Sequence, residues 1–491
     1  MQILKHLLDN INIINIFGND DIIISSIEYN SKNVSPNSLF VAIHGENFDG
    51  HQFINDAIER GATAIACEFL PDDLYKNITY IQVPDSRIAL AELSNAFYDF
   101  PSNKLKIIGI TGTNGKTTIT FLLNHIFQYF NKKTAIIGTT GIFINNKIIP
   151  TTHTTPESLE LFAYLNQCVN VGVEYVSMEV SSHSLVQHRV HCINFIAAAF
   201  TNLTQDHLDY HKTMQDYANA KKLLFDNLQH DAIAVINADD TYADYIIKDC
   251  KAKQIFTVGR KSDSDYIIKN ENLSIKCVEF DIVNNNTTYK IHSPLLGKFN
   301  IDNLAQAFAI ASELGFEPNQ ICKCLENATG APGRMEKYNL PNGAIAIIDY
   351  AHTPDALEKA LQSLKQIHYT NSLNGKIICV FGCGGNRDRD KRHKMGKIAC
   401  DLSDFVIITN DNPRNEDPQV IFEDILKGIN GNKRNTVSII QDRAEAIRYA
   451  IEKSTENDII LIAGKGHEDY QIIGGERRPF SDRQIVAEYC K

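Results

Sequence analysis

Positive charge is in short supply: the 491-residue chain carries 48 Lys and Arg against 59 Asp and Glu, a formal net charge of −11. A nucleic-acid backbone calls for a clustered basic surface, so the deficit argues against such a partner. An anionic small molecule stays compatible, because local Lys and Arg placement matters more than the total. Cysteine builds no framework either. Its 11 residues are odd in number and scattered, which fits free thiols in a reduced compartment. No apolar run approaches the roughly 20 residues of a membrane span. The start, MQILKHLLDNINIINIFGND, lacks the basic n-region, clean apolar run and small-residue cleavage site of a secretory leader. A cytoplasmic protein without membrane insertion is expected. There is no repeat at a fixed period and no long low-complexity tract.

What is present is an ordinary globular composition, 43% hydrophobic and 22% charged, over a length that predicts two to four domains. Short apolar runs at 39–43, 62–67 and 78–83 alternate with a helical pattern near 52–60, then a polar connector spans Asp99 to Lys104. From there LKIIGI (105–110) reads as a buried strand, followed by a Gly/Thr turn and a helix from about Lys116 to Phe130. Strands at 134–138, 175–180, 195–200 and 232–237, with a helix over 214–228, predict a mainly parallel, helix-covered sheet. Segment 265–293 alternates like an antiparallel appendage, and 301–316 reads as a closing helix. After Ala331-Pro332-Gly333, a hinge candidate, strands at 344–349, 376–382, 405–409, 437–441 and 459–464 predict a second doubly wound unit. The expected fold is α/β in three domains: 1–103, a small α/β unit; 104–331, a mainly parallel-sheet P-loop unit; and 332–491, a Rossmann-like unit.

Gly112-Thr113-Asn114-Gly115-Lys116-Thr117-Thr118 lies between a predicted strand and a predicted helix. Glycines let backbone N–H groups wrap phosphate oxygens, and a helix N-terminus adds a positive dipole end. Lys116 is then expected at the β/γ-phosphates and the Thr117 hydroxyl on Mg²⁺. The strict P-loop pattern fails, because Ile110 stands where its first glycine belongs.

TGTNGKTT (111–118) resembles the loop of the Mur ligases and their folylpolyglutamate synthetase relatives. So do, in order, GATAIA, HTTPE (153–157), MEVSSHSLVQHRV (178–190), FTNLTQDHLDYH (200–211), APGRME (331–336), DYAHTPD (349–355), FGCGGNRDRDKR (381–392), DNPRNEDP (411–418) and GKGHEDYQ (464–471). The set is colinear over nearly the whole chain. The resemblance implies an ATP-dependent ligase that activates a carboxylate as an acyl phosphate and passes it to an amine. Its implied substrates are ATP, UDP-N-acetylmuramoyl-L-alanyl-D-glutamate and meso-diaminopimelate, with Mg²⁺ as cofactor and a monomer as the working form.

The resemblance also implies residue roles. Thr117 and Glu179 would share one Mg²⁺ and His207 a second. Lys221 matches the lysine that the family carries as a carbamate, with Lys222 a competitor on sequence alone. A carbamate is an anionic oxygen ligand, whereas a free ammonium repels the metal. Asn303, Arg334, Asp349 and His352 fall in nucleotide motifs, and Ser31, Thr154, Thr155, Ser181, Gln187 and Arg189 in muramoyl-substrate motifs. Here Asn30-Ser31-Lys32 replaces the family's usual Asp-Ser-Arg, and lysine keeps the charge while losing the guanidinium fork. His183, His188, His191, His207 and His211 lack the Cys or carboxylate spacing of a closed zinc site.

The amino-acid end falls to Arg387, Asp411, Asn412, Pro413, Arg414, Gly464 and Glu468. Arg414 suits a bidentate grip on a carboxylate, and Asp411, Asn412 and Glu468 offer acceptors to ammonium groups. Lysine lacks the second carboxylate of diaminopimelate and would leave Arg414 desolvated and unpaired. Competing readings are a lysine-adding ligase, a folylpolyglutamate synthetase, a nucleotide-regulated binding module and a P-loop GTPase. DNPR counts against the first and the amino-terminal domain against the second. The amine-recognition motif counts against the third, and the lack of a base-specificity motif against the fourth.

Overall fold

The computed structural model describes residues 1–9, 11–45, 48–145, 147–151, 153–370 and 374–490. Three sheets organise the chain, and each is α/β. The first has five strands in the order Asn15–Phe17, Thr79–Gln82, Ala62–Cys67, Ser38–Val41, Ser26–Glu28, parallel except at its Asn15–Phe17 edge. The Ser86–Phe97 helix packs on it, started by Asp85, whose carboxylate accepts the Arg87 and Ile88 N–H groups at 2.9 and 3.0 Å.

The second sheet has eleven strands. Its parallel heart runs Thr134–Gly138, Tyr175–Glu179, Lys106–Thr111, Phe195–Phe200, Ile233–Asn237, Gln254–Gly259. These strands are apolar on both faces because helices cover both. The Lys298–Glu313 helix crosses one face, with Ile301, Leu304, Ala305, Phe308 and Ile310 all fully buried. Each such large apolar side chain contributes about 1.5–3 kcal/mol on burial. Segment 265–293 corrects the reading of an appendage. Tyr266–Leu273 pairs parallel with Gln254–Gly259 and continues the same sheet through the antiparallel strands Val278–Asn284 and Thr287–Ser293. A hairpin, Gly141–Ile144 with Lys147–Ile149, closes the opposite edge.

The third sheet runs Glu336–Asn339, Ile345–Asp349, Ile459–Ala463, Ile377–Phe381, Phe405–Ile408, Val437–Ile439, parallel apart from its first strand. The five expected parallel strands are there, with the antiparallel edge and a small hairpin, Tyr470–Ile473 with Glu476–Pro479, in addition. Among the described residues no helix is long and apolar enough to cross a membrane.

Candidate active site

The strand that ends at Thr111 turns into the phosphate loop at the carboxyl end of the central sheet, where open α/β sheets bind ligands. The turn needs glycine at two places. Gly112 has φ +144° and a Cβ there would lie 1.8 Å from Thr201 Oγ1; Gly115 has φ +91° and its Cβ would lie 2.4 Å from Asn303 Oδ1. The loop is braced from the next strand. Asn114 N–H donates to Asn202 Oδ1 at 3.0 Å, and Thr201 Oγ1 donates to the Asn114 carbonyl at 2.6 Å. The Lys116–Tyr129 helix follows directly, its first N–H groups facing the loop.

A cavity of about 410 Å³ opens over this loop. It brings together Thr113 to Thr118, Thr154, Glu179, Ser181, His207, Lys221, Asn303, Arg334, Asp349 and His352, which the sequence had scattered over 240 positions (from 113 to 352). Glu179 ends its strand and is buried. It accepts Thr117 Oγ1 at 3.0 Å, Thr139 N–H at 2.9 Å and Thr139 Oγ1 at 3.1 Å. Lys116 Nζ donates to the Gly112 and Thr113 carbonyls, both at 2.8 Å, and burial lowers its pKa.

Lys221 is also buried and donates to the Gly112 carbonyl at 2.8 Å, with Nζ 4.4 Å from the Tyr217 ring centroid. Burial, then the nearby Lys116 charge, holds its pKa well below the usual lysine range. Lys222 faces elsewhere, paired with Asp226 at 2.5 Å and Asp249 at 2.7 Å. His207 is held with positive φ beside Asp206, Nε2 to Oδ2 3.5 Å, and burial lowers its pKa. His183 and His211 pack ring to ring with it or with each other, and His211 shares a 2.8 Å hydrogen bond with Ser182 Oγ.

On the other wall, Asp349 accepts the Met335 and Ala351 N–H groups at 2.8 and 2.9 Å, fixing the chain just after Gly333. The Arg334 guanidinium lies 4.6 Å from the Tyr350 ring centroid, and His352 Nδ1 is 2.9 Å from the Tyr350 carbonyl. Several proposed muramoyl residues are occupied locally. Arg189 donates to the Thr155 carbonyl at 3.0 Å and Gln187 Oε1 at 2.6 Å and pairs with Glu157 at 2.7 Å. Thr155 Oγ1 donates to the Glu179 carbonyl at 2.8 Å. Ser31 is buried in a short turn, Ser31–Asn33, and is not among the cavity's lining residues.

The amino-acid motifs form a second cluster around the loops that leave Ile377–Phe381, Phe405–Ile408 and Ile459–Ala463. Arg414 has φ +53° and donates through Nη1 to the Gly385 carbonyl at 2.9 Å. The two loops interlock, because a Cβ on Gly385 would lie 1.9 Å from the Pro413 carbonyl oxygen and one on Gly384 3.0 Å from Arg414 Nη1. Arg387 is exposed beside them. Lys465 was not singled out by sequence, yet it is fully buried at the centre of this cluster. Its Nζ lies 3.0 Å from Glu468 Oε2, 3.2 Å from Asn412 Oδ1 and 3.3 Å from Asp411 Oδ1. Burial works to raise the Asp411 pKa, but Lys465 and Arg443 outweigh it and hold the carboxyl below its usual value. Gly464 turns the chain here with φ +117°. In the cavity over the phosphate loop, the unanticipated lining residues include Thr139, Asn202, Asp206, Tyr217 and Tyr350. Asp206 and Tyr350 sat inside recognised motifs, whereas Thr139 carried no signal of its own.

Comparison with known proteins gives this arrangement a family. Three family profiles match in order: "Mur ligase family, catalytic domain" over 23–98, "Mur ligase middle domain" over 110–311, and "Mur ligase, glutamate ligase domain" over 333–466. A UDP-N-acetylmuramoyl-L-alanyl-D-glutamate–2,6-diaminopimelate ligase of Bacteroides fragilis is 42% identical over 485 residues, covering 99% of this chain and 98% of its own. One from Clostridium botulinum is 44% identical over 474 residues, 95% of each chain. A solved structure bearing the same enzyme name matches 100% of this chain and 99% of its own, with TM-score 0.71 and 33% identity. The chain belongs to the Mur ligase family.

Proposed function

We propose that the protein is an ATP-dependent ligase that joins meso-2,6-diaminopimelate to UDP-N-acetylmuramoyl-L-alanyl-D-glutamate through an acyl phosphate, in peptidoglycan precursor synthesis. The observation that carries this reading is the full-length identity with relatives of that name. Residues 1–103 are assigned to the UDP-muramoyl substrate, 104–331 to ATP and 332–491 to the amino acid. ATP and a UDP-linked substrate fit a cytoplasmic reaction, and one copy of the chain supplies every proposed group.

In this reading the substrate carboxylate attacks the γ-phosphorus of ATP and ADP leaves. The diaminopimelate amine then attacks the acyl carbon, phosphate is expelled, and the ammonium proton is given up as the amide forms. Both steps crowd anions together, so fixed positive groups carry much of the catalysis. Lys116 is assigned to the phosphates, where it would exchange its present carbonyl partners for phosphate oxygens. The loop N–H groups of Thr113 to Thr118 hold the nucleotide, with Asn303, Arg334, Asp349 and His352 around it. Thr154, Thr155, Ser181, Gln187 and Arg189, with Ser31, are assigned to the muramoyl substrate.

The donor set fits Mg²⁺. Thr117 and Glu179 offer oxygen donors 3.0 Å apart in one cavity, and His207 lines it too. Lys221 fits once carbamylated, and burial, by lowering its pKa, favours the neutral amine that attacks CO₂: the N–C bond forms, a proton leaves, and an anionic oxygen donor results. When bound, Mg²⁺ would neutralise phosphate charge during attack.

The test is direct. Purified protein with ATP, Mg²⁺ and the UDP-muramoyl dipeptide should release phosphate on adding meso-diaminopimelate and far less on adding L-lysine. Equal rates with the two would overturn the acceptor assignment, and no turnover with either would overturn the ligase reading.

A further inference from the structure

The amino-acid cluster holds a cation of its own, and its position has a consequence for selectivity. Lys465 lies immediately after the Ile459–Ala463 strand and the Gly464 turn, with no exposed surface. Its ammonium engages Glu468 Oε2, Asn412 Oδ1 and Asp411. An ammonium is costly to bury and is tolerated only when paired. What it leaves unused matters as much. Asp411 Oδ1 is buried with Lys465 Nζ beside it at 3.3 Å, whereas among the described residues no hydrogen bond is given to Glu468 Oε1. Arg414 spends only Nη1, on the Gly385 and Asn412 carbonyls, at 2.9 and 3.4 Å. The Tyr470 hydroxyl lies in the combined field of Glu468, Arg477, Arg414 and Asp411, so these charges share one neighbourhood. Arg443 behind the loop is already cancelled by Asp482 at 2.8 Å, both fully buried.

Within the buried part of the cluster Lys465 therefore offsets one of the two carboxylates, Asp411 and Glu468, while Arg414 keeps a free edge and Arg387 is exposed beside the loops. We propose that Lys465 is a specificity-determining residue: its buried ammonium neutralises one carboxylate of the acceptor pocket, so that the pocket fits a zwitterionic amino-acid end and penalises a lone ammonium. This deepens the diaminopimelate reading above and rests on it. A zwitterion would place its ammonium on the free Glu468 oxygen and its carboxylate on the free edge of Arg414, adding no net charge to the cluster. The side-chain ammonium of lysine brings a charge with no counterpart and leaves Arg414 unpaired. Without Lys465 the cluster is more negative by one charge, which the ammonium of lysine offsets and the zwitterion does not.

The experiment compares kcat/KM for meso-diaminopimelate and L-lysine, with saturating ATP and UDP-muramoyl dipeptide, in three forms of the full chain: unchanged, Lys465→Met, and Lys465→Met with Glu468→Gln. The preference for diaminopimelate is expected to fall at least tenfold in Lys465→Met, about 1.4 kcal/mol. It should recover toward the unchanged value in the double variant, in which both buried charges are gone. A purely structural role would lower both substrates together and leave the ratio alone. A ratio unchanged in Lys465→Met overturns the proposal. If that variant does not fold, a double variant that has lost the preference overturns it instead. Failure of the unchanged protein to use either amino acid refutes the ligase reading, a separate outcome.

Discussion

Three side chains divide the chemistry of this ligase at the scale of single residues. Lys116 is the cation of the phosphate loop, and Lys116→Ala should lower phosphate release by roughly 10²–10³-fold, the loss seen when one donor to developing charge is removed. Arg414 offers a planar fork on a strained backbone. Arg414→Lys keeps the charge and loses the bidentate geometry, so kcat/KM for diaminopimelate should fall about tenfold or more while that for ATP stays near normal. Unaltered amino-acid selectivity in that variant would refute the grip. Lys221 is buried, and burial with the nearby Lys116 charge lowers its pKa well below the usual lysine range. Isotope-labelled bicarbonate should therefore give one carbamate signal, absent in Lys221→Ala. Most of these residues were legible in sequence because they sit in motifs at the ends of apolar runs. Lys465 was not, since nothing in GKGHE tells a buried lysine from a solvated one. Nor does sequence spacing tell Lys221 from Lys222; only the helix's orientation, with Lys222 turned toward Asp226 and Asp249, separates them.

At the scale of elements, the amino-acid loops are stapled from beneath by Arg392, which has no exposed surface. It pairs with Glu416 at 2.7 and 2.8 Å and with Asp424 at 3.0 Å, and donates to the Gly384 carbonyl at 3.2 Å. Arg392→Met removes the cation that Glu416 and Asp424 share, leaving Asp424 with Arg389 and Lys427 and Glu416 with the Asn386 N–H, and should cost about 1–3 kcal/mol in chemical denaturation. Hydrogen bonding to Arg392 pulls the Glu416 pKa down from 4.5 to about 2. Its folded value lies below its unfolded one, so this stabilisation is complete above pH 4.5 and fades as pH falls toward 2. The difference between the unchanged protein and Arg392→Met should narrow over that window by on the order of 1 kcal/mol, allowing for solvent screening of a partly accessible carboxylate. A gap constant with pH would rule the pairing out as its source. Elements divide in the same way by legibility. The parallel strands announce themselves as unbroken apolar runs. Edge strands such as Asn15–Phe17 and Glu476–Pro479, exposed at every residue, carry no such run and were missed. The Tyr266–Leu273 strand alternates like a free hairpin, and only its pairing with Gln254–Gly259 joins it to the main sheet.

Across the whole molecule, the carboxyl-terminal unit is latched to the phosphate loop by one carboxylate. Asp355, in the first turn of the Pro354–Thr370 helix, accepts Asn114 Nδ2 at 3.2 Å and Thr204 Oγ1 at 3.0 Å, with Lys359 Nζ also at 3.0 Å. Asp355→Ala should loosen this contact between the Pro354–Thr370 helix and the phosphate loop. Small-angle scattering is expected to show a larger radius of gyration, and KM for the amino acid should rise together with a fall in kcat; unchanged scattering and kinetics would discount the latch. The restart of strand–helix alternation after Gly333 is visible in the sequence, but a contact between positions 114 and 355 leaves no trace in local pattern.

The central sheet also bears on how the protein comes together in time. Its edge ribbon, Tyr266 to Ser293, pairs strands close in sequence, so it closes short loops and can form early. The strand that delivers the phosphate loop is different. Lys106–Thr111 pairs with Tyr175–Glu179 and Phe195–Phe200, each more than 60 residues away. Closing those intervals makes the nucleotide cradle a late product of folding. Bound nucleotide should then slow unfolding and leave the refolding rate almost unchanged, since the nucleus forms before there is a loop for the phosphates to occupy.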